Sequence, residues 1–183
     1  MNKKIFLISV IILAIVSFLL LQTSNVKKLF SNSNDLPSPT LYAFEDQKIL
    51  SNYYWSLIGL SGKSFDMVTK RGNVLLIHFW SIENEESVET LKSLDKLYND
   101  YKTKIDFITI TKDNQSNVRN FLDNNNYYFP AYYSLSIAPK PIENKIAKTY
   151  LISKKGRILI EHEGAANWNS DEVRKVIDGL LNQ

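Results

Sequence analysis

Downstream of Trp55 the apolar positions fall into blocks of distinct period, and each block predicts an element. Trp55-Ser56-Leu57-Ile58 and Lys63-Ser64-Phe65 flank Gly59-Leu60-Ser61-Gly62, the pattern of a β-hairpin. Val74-Leu75-Leu76-Ile77-His78-Phe79-Trp80 is a continuous run of the kind found in a strand covered on both faces. Val88, Leu91, Leu94, Tyr98 and Tyr101 then recur at spacings of three and four, an apolar stripe on a helix of about five turns. Ile105 to Ile110 predicts a second strand, and Val118, Phe121 and Leu122 a short helix ended by Asn124-Asn125-Asn126. Thr149–Ile152 and Arg157–Ile160 predict two strands about the turn Ser153-Lys154-Lys155-Gly156. Asn169 with Glu172 reads as a capping box for a last helix with its apolar face on Val173, Val176, Ile177, Leu180 and Leu181. The order after the hairpin is strand, helix, strand, helix, strand, strand, helix. Its first three elements need a right-handed parallel crossover and its last two strands an antiparallel pairing. The expected architecture is a mixed α/β sheet with helices on both faces.

Upstream the pattern changes. Ile5 to Leu21 are 17 residues without a charge, about 26 Å as a helix and just long enough for a bilayer core. Two readings fit, an uncleaved anchor and a cleaved signal peptide. The stretch Leu19-Leu20-Leu21-Gln22-Thr23-Ser24 has no small-x-small cleavage pattern, which favours the anchor. Lysines flank it in equal number (Lys3 and Lys4, Lys27 and Lys28), and the free N-terminal amine tips the orientation towards N-terminus inside, domain outside. The expected partition is a transmembrane signal-anchor over 1–24, an exposed Ser-, Asn- and Pro-punctuated tether over 25–48, and one globular domain over 49–183. The lipid bilayer is thus one expected partner, met through Ile5 to Leu21, with the C-terminal domain outside the cytoplasmic membrane.

Charge changes meaning once it is located. The net +3 rests on four lysines around the apolar segment; the chain from Asp35 onwards carries 18 basic against 19 acidic residues. No basic face remains for nucleic acid. Cysteine is absent, which removes disulfides, thiolate nucleophiles, thiolate zinc sites and iron–sulfur clusters. With only His78 and His162, the sequence calls for no metal and no cofactor.

The element order and the words written in it resemble the thioredoxin superfamily, above all its membrane-tethered TlpA-like branch. The resemblance is carried by Leu57 with Gly62-Lys63, by Val74 to Ser81, by Phe129-Pro130, and by Thr149 to Ile152 followed by Lys155-Gly156-Arg157-Ile158. It spans about residues 50–183 and implies an extracytoplasmic thioredoxin-like domain. In that family a Trp-Cys-x-x-Cys motif opens the first long helix. On this frame the tryptophan falls on Glu83 and the two cysteines on Asn84 and Ser87, with Glu85-Glu86 between them. The position of the cis-proline that faces the disulfide is Ala147, and a proline of the first helix is replaced by Lys92.

Dithiol–disulfide exchange needs an attacking thiolate and a second thiol that resolves the mixed disulfide. Neither Asn84 nor Ser87 supplies one, and Glu83, Glu85, Glu86 and Glu89 suit a helix dipole rather than a thiolate. Asn84 reads as a helix N-cap. The resemblance implies a groove in which the loop before Tyr150 pairs with an extended substrate through backbone hydrogen bonds. Trp80, Ile82, Asn84, Ile146 and Ala147 line the equivalent surface. The expected function is a redox-inactive module that binds an extracytoplasmic protein or peptide, with no catalytic residue of its own. The alternatives are a thiol-disulfide oxidoreductase in family membership only, a non-thiol enzyme using Glu83 or Glu86 with His78, and a spacer that stabilises a membrane complex.

Weaker signals have ordinary readings. Gly62-Lys63-Ser64 matches the end of a phosphate-binding loop but sits in a hairpin turn and lacks the first glycine. His78 within an apolar run reads as a packed strand histidine, and His162 between Glu161 and Glu163 as a solvated edge residue. A Ser87–His78 hydrolase lacks an acid and an oxyanion hole, and the glutamates lack the spaced oxygen ligands of a cation loop. Asn114-Gln115-Ser116 fits a glycosylation acceptor. Tyr127-Tyr128-Phe129 and Tyr132-Tyr133 divide between core and surface.

Overall fold

The computed structural model describes residues 36–182. The apolar segment Ile5–Leu21 lies outside them, and no helix among the described residues is long and apolar enough to cross a membrane. Seven strands form one sheet: β1 (Ser56–Gly59), β2 (Ser64–Asp66), β3 (Leu75–Trp80), β4 (Asp106–Thr111), β5 (Ala131–Ser134), β6 (Lys148–Ile152) and β7 (Ile158–Glu163). Three α-helices accompany them among the described residues, α1 (Glu85–Tyr101), α2 (Gln115–Asn125) and α3 (Asp171–Leu181), with two short 3-10 helices, Phe44–Asp46 and Met67–Lys70. The strand order is β2-β1-β5-β4-β3-β6-β7. The pairs β3/β4 and β4/β5 are parallel and the rest antiparallel.

The expected parallel crossover and closing antiparallel pair are both present, and so is the opening hairpin. One strand is an addition. β5 follows Pro130 directly, is four residues long, and shares only a two-residue register with β4 before its remainder pairs with β1. So short a segment, with aromatics in succession, carries no alternation to read. Its consequence is large, because β5 ties the β1–β2 hairpin into the main sheet.

The expectation of helices on both faces is corrected. Leu91, Leu94, Leu97 and Tyr101 of α1, Val118 and Leu122 of α2, and Val173, Ile177 and Leu180 of α3 all belong to one core with Val74, Leu76 and Trp80. The reason is handedness. The steps β3 to β4 and β4 to β5 run the same way across the sheet, so two right-handed crossovers must pass over the same face. The opposite face, built on Leu75, Ile77, Phe79, Ile108, Ile110, Tyr150 and Ile152, carries no α-helix among the described residues: it is covered by Leu50 to Trp55, by Met67 of the short 3-10 helix Met67–Lys70, and by Ile142 from the loop before β6.

Part of the expected exposed tether also belongs to the domain. Pro37 accepts a hydrogen bond from the Asn167 N–H (2.9 Å), the Tyr42 N–H donates to Leu159 (2.8 Å), and the Ile158 N–H donates to Lys48 (2.9 Å). Gly156 makes this docking feasible. Its φ is +78°, and a Cβ there would sit 2.5 Å from the Leu50 carbonyl oxygen, closer than any side chain tolerates.

Two local corrections concern helix faces and caps. Ser170, not Asn169, caps α3: its Oγ accepts from the Val173 N–H (3.3 Å), whereas the Asn169 Oδ1 is taken by the Arg174 guanidinium. On α1 the buried face includes Ser87, Thr90 and Ser93, which apolar periodicity cannot flag. Ser93 Oγ accepts from the Trp168 N–H (3.0 Å) and lies within donating distance of the Thr90 (2.9 Å) and Ala166 (3.2 Å) carbonyls. Ser93→Ala leaves the Trp168 N–H buried without a partner, so a stability loss of about 1–3 kcal/mol is expected. Urea unfolding of Ser93→Ala beside Ser93→Thr, which keeps the hydroxyl, measures it; equal stability of Ser93→Ala and the parent contradicts this account.

Candidate functional site

β3, β4, β5 and β7 end on the same side of the sheet, where β1 and β6 begin. In α/β sheets the loops at the carboxyl ends of parallel strands form the crevices that take ligands. Ser81–Asn84, Lys112–Asn114, the chain after Ser134, and Ile146–Ala147 meet there.

The start of α1 is built by Asn84. Its Oδ1 accepts from both the Ser87 N–H (2.8 Å) and the Ser87 Oγ–H (2.8 Å), and Glu85 and Glu86 occupy the first turn, where negative charge complements the helix dipole. The residues at the two cysteine positions of the resemblance therefore hold each other as a cap. The preceding loop is pinned from β4: the Asp113 carboxylate accepts from Ser81 Oγ (2.9 Å) and from the Ile82 N–H (2.7 Å). The sequence reading missed Asp113. A carboxylate two residues beyond a buried strand was its only available signal.

Ala147 takes the left-handed conformation, φ +61°, uncommon without glycine. Its N–H donates to the Phe79 carbonyl (2.8 Å) and its carbonyl accepts from the Gly164 N–H (2.9 Å). Of the five expected groove residues, Trp80 and Ala147 are buried, so only Ile82, Asn84 and Ile146 offer side-chain surface. Trp80 instead packs among Phe121 and Phe129 at ring distances of 5.9 and 6.1 Å.

His78 is wholly buried on β3, its Nδ1 2.7 Å from Thr149 Oγ1 and its Nε2 without a partner. Burial pushes its pKa down to about 3, because the charged imidazolium is poorly solvated there. Glu83, Glu85 and Glu86 are exposed, with Glu86 lying against Gly164. Imidazole and carboxylates therefore do not converge in a pocket. His162 lies within β7, half-buried and opposite Thr149. Asn114, the first residue of the glycosylation pattern, caps α2 by accepting from the Ser116 N–H (2.9 Å). No group of three or more acidic or histidine side chains among the described residues is arranged to hold a metal ion.

A depression of about 430 Å³ is bounded by Ile82, Glu83, Asp113, Asn114, Asn117 and Asn120. Exposed apolar side chains stand at the same end of the sheet: Tyr54, Leu135 and, at 92% exposure, Ile137. Beside them Lys148 is buried with Glu161 (2.7 Å) and also pairs with Glu143. Desolvation opposes the Lys148 charge, but the hydrogen bonds its ammonium donates to Glu143 and Glu161 outweigh it and raise its pKa.

This architecture is the thioredoxin-like fold. No protein-family model matches the sequence, and no curated protein does. Solved structures do. A secreted thiol-disulfide isomerase from Corynebacterium glutamicum superposes with a TM-score of 0.59 at 12% identity, over 83% of this chain and 96% of that one. A DsbF homologue from Corynebacterium diphtheriae gives 0.57 at 14%, over 78% and 93%. A thiol:disulfide interchange protein of the thioredoxin family from Chlorobium tepidum gives 0.55 at 15%, over 79% and 97%. The chain shares the fold of thiol-disulfide oxidoreductases and carries no cysteine.

Proposed function

We propose that this protein is a membrane-tethered, redox-inactive thioredoxin-like module that binds a protein or peptide outside the cytoplasm. The observation that carries the reading is the Asn84–Ser87 pair. Where thiol chemistry needs two sulfurs, two uncharged side chains are consumed in capping α1. The exposed Tyr54, Leu135 and Ile137, at the same end of the sheet as the half-buried Ile82 and Ile146, supply the apolar surface a partner would cover.

The tether supports a partner close to the membrane. Pro37 and Ser38 dock on Asn167 and Ser170, in the loop that follows β7 at this same end of the sheet. Gln22 to Asp35 are 14 residues, at most about 50 Å when extended, so the anchor would hold this surface near the bilayer.

A photo-crosslinker placed at Ile146 in the full chain, in native membranes, is expected to capture a defined partner. Ile82→Arg and Ile137→Arg are expected to reduce capture several-fold, whereas Lys155→Ala at the far turn leaves it intact. Capture that is indifferent to both arginine substitutions overturns the reading.

A further inference from the structure

Backbone pairing with a guest strand is nearly closed at the loop before β6. The N–H groups of Lys145, Ala147 and Lys148 donate to Glu143, Phe79 and Lys145, and the Ala147 carbonyl is taken by Gly164. Within this loop Asn144 and Ile146 keep main-chain groups with no backbone partner among the described residues, a short edge and not a long ladder. Further polar groups are free on α2. Asn114, Asn117 and Asn120 recur every third residue along one face, above the buried Val118 and Leu122. Asn114 is spent on its cap, but the amides of Asn117 and Asn120 are exposed and make no hydrogen bond among the described residues.

Each carboxamide offers a donor and an acceptor, the complement of a main-chain carbonyl and N–H. The two acids of the depression differ: both oxygens of Asp113 are engaged by Ser81 and Ile82, while the exposed Glu83 carboxylate has no partner among the described residues. No basic and no aromatic residue lines the space. That charge pattern suits a cation, and the absence of a stacking ring disfavours a sugar.

Resting on the binding-module reading above, we propose that the depression between the Ser81–Asn84 loop and α2 holds an extended segment of the partner peptide. Asn117 and Asn120 bond its main chain, Glu83 takes a lysine or arginine side chain, and Ile82 packs against a neighbouring apolar residue. The side chains of α2 thereby extend the partner surface beyond the loop before β6.

The test probes an array of short random peptides with the detergent-solubilised full chain. Sequences with lysine or arginine are expected to be enriched over those with aspartate or glutamate. Asn117→Ala with Asn120→Ala is expected to lower binding about tenfold or more, as two lost hydrogen bonds imply. Glu83→Gln is expected to erase the basic preference while peptides without charge still bind. Both amides are exposed, so unchanged thermal unfolding of the double variant verifies its fold. Binding that survives the double substitution, a preference for acidic peptides, or no retained peptide at all overturns the proposal. So does retention of chito-oligosaccharides that depends on the same two asparagines. If crosslinking through Ile146 persists in any of these cases, the binding-module reading stands and only this assignment falls.

Discussion

Asn84→Cys combined with Ser87→Cys is expected to yield a protein that closes an intrachain disulfide under mild oxidation. The two side chains already meet at 2.8 Å, and they sit three residues apart at a helix start. Neighbours at that spacing have Cβ atoms about 5–6 Å apart in a regular helix, and the turn before α1 lets them approach the roughly 4 Å of a bridge. Loss of the asparagine cap costs about 1 kcal/mol, which the cross-link offsets only in the oxidised form. The oxidised double variant is therefore expected to melt above its reduced form. Intact mass and thiol titration read the bond, and thermal unfolding with and without reductant reads the difference. Each single variant is expected to keep a free thiol. Two titratable thiols in the oxidised double variant would show that Asn84 and Ser87 are not equivalent to a redox pair, and the reading of a disarmed active site would fail with them.

The second large effect concerns pH. His78 is neutral in the folded protein, with a pKa of about 3 set by burial, whereas the unfolded chain's imidazole protonates near 6.5. A depressed folded pKa means that the unfolded state binds the proton first. The contribution is fully present above about pH 6.5 and is lost progressively as pH falls towards 3. The slope approaches about 1.4 kcal/mol per pH unit once the unfolded imidazole is mostly charged. Between pH 6.5 and 5 few carboxylates titrate, so the slope in that window belongs to the histidines. His78→Leu is expected to flatten it despite lowering stability overall, because Thr149 Oγ1 loses its partner. Urea unfolding at a series of pH values measures this. An imidazole of His78 that titrates near 6.5 by NMR in the folded protein contradicts the assignment, as does an unchanged slope in His78→Leu.

The same residue shows how far composition and pattern reach. That His78 lies on a buried strand follows from the run Val74–Trp80, in which no other residue is polar. Its distance from the exposed glutamates does not follow, because that depends on which face of β3 it occupies and where α1 begins. Asn84 as a cap was legible, since an asparagine before Glu85-Glu86 is a local signal. Asp113 was not, because its partners Ser81 and Ile82 lie about thirty residues away and no local rule joins them. Of the five expected groove positions, Ile82, Asn84 and Ile146 offer surface, whereas Trp80 and Ala147 are covered by packing that only the folded chain supplies.

Sequence alone determined the absence of thiol chemistry, the covered central strand, the main helices and the antiparallel close of the sheet. These depend on atoms present or absent and on periods of two and 3.6 residues, which are local properties. The tertiary structure decided that the three α-helices share one face, that β5 joins the hairpin to the sheet, and that residues 37–50 belong to the domain. It also closed the loop at Ala147 and left the amides of α2 open. Each of these rests on contacts between segments far apart in the chain, whose handedness and hydrogen-bond satisfaction are settled only when the whole sheet is assembled.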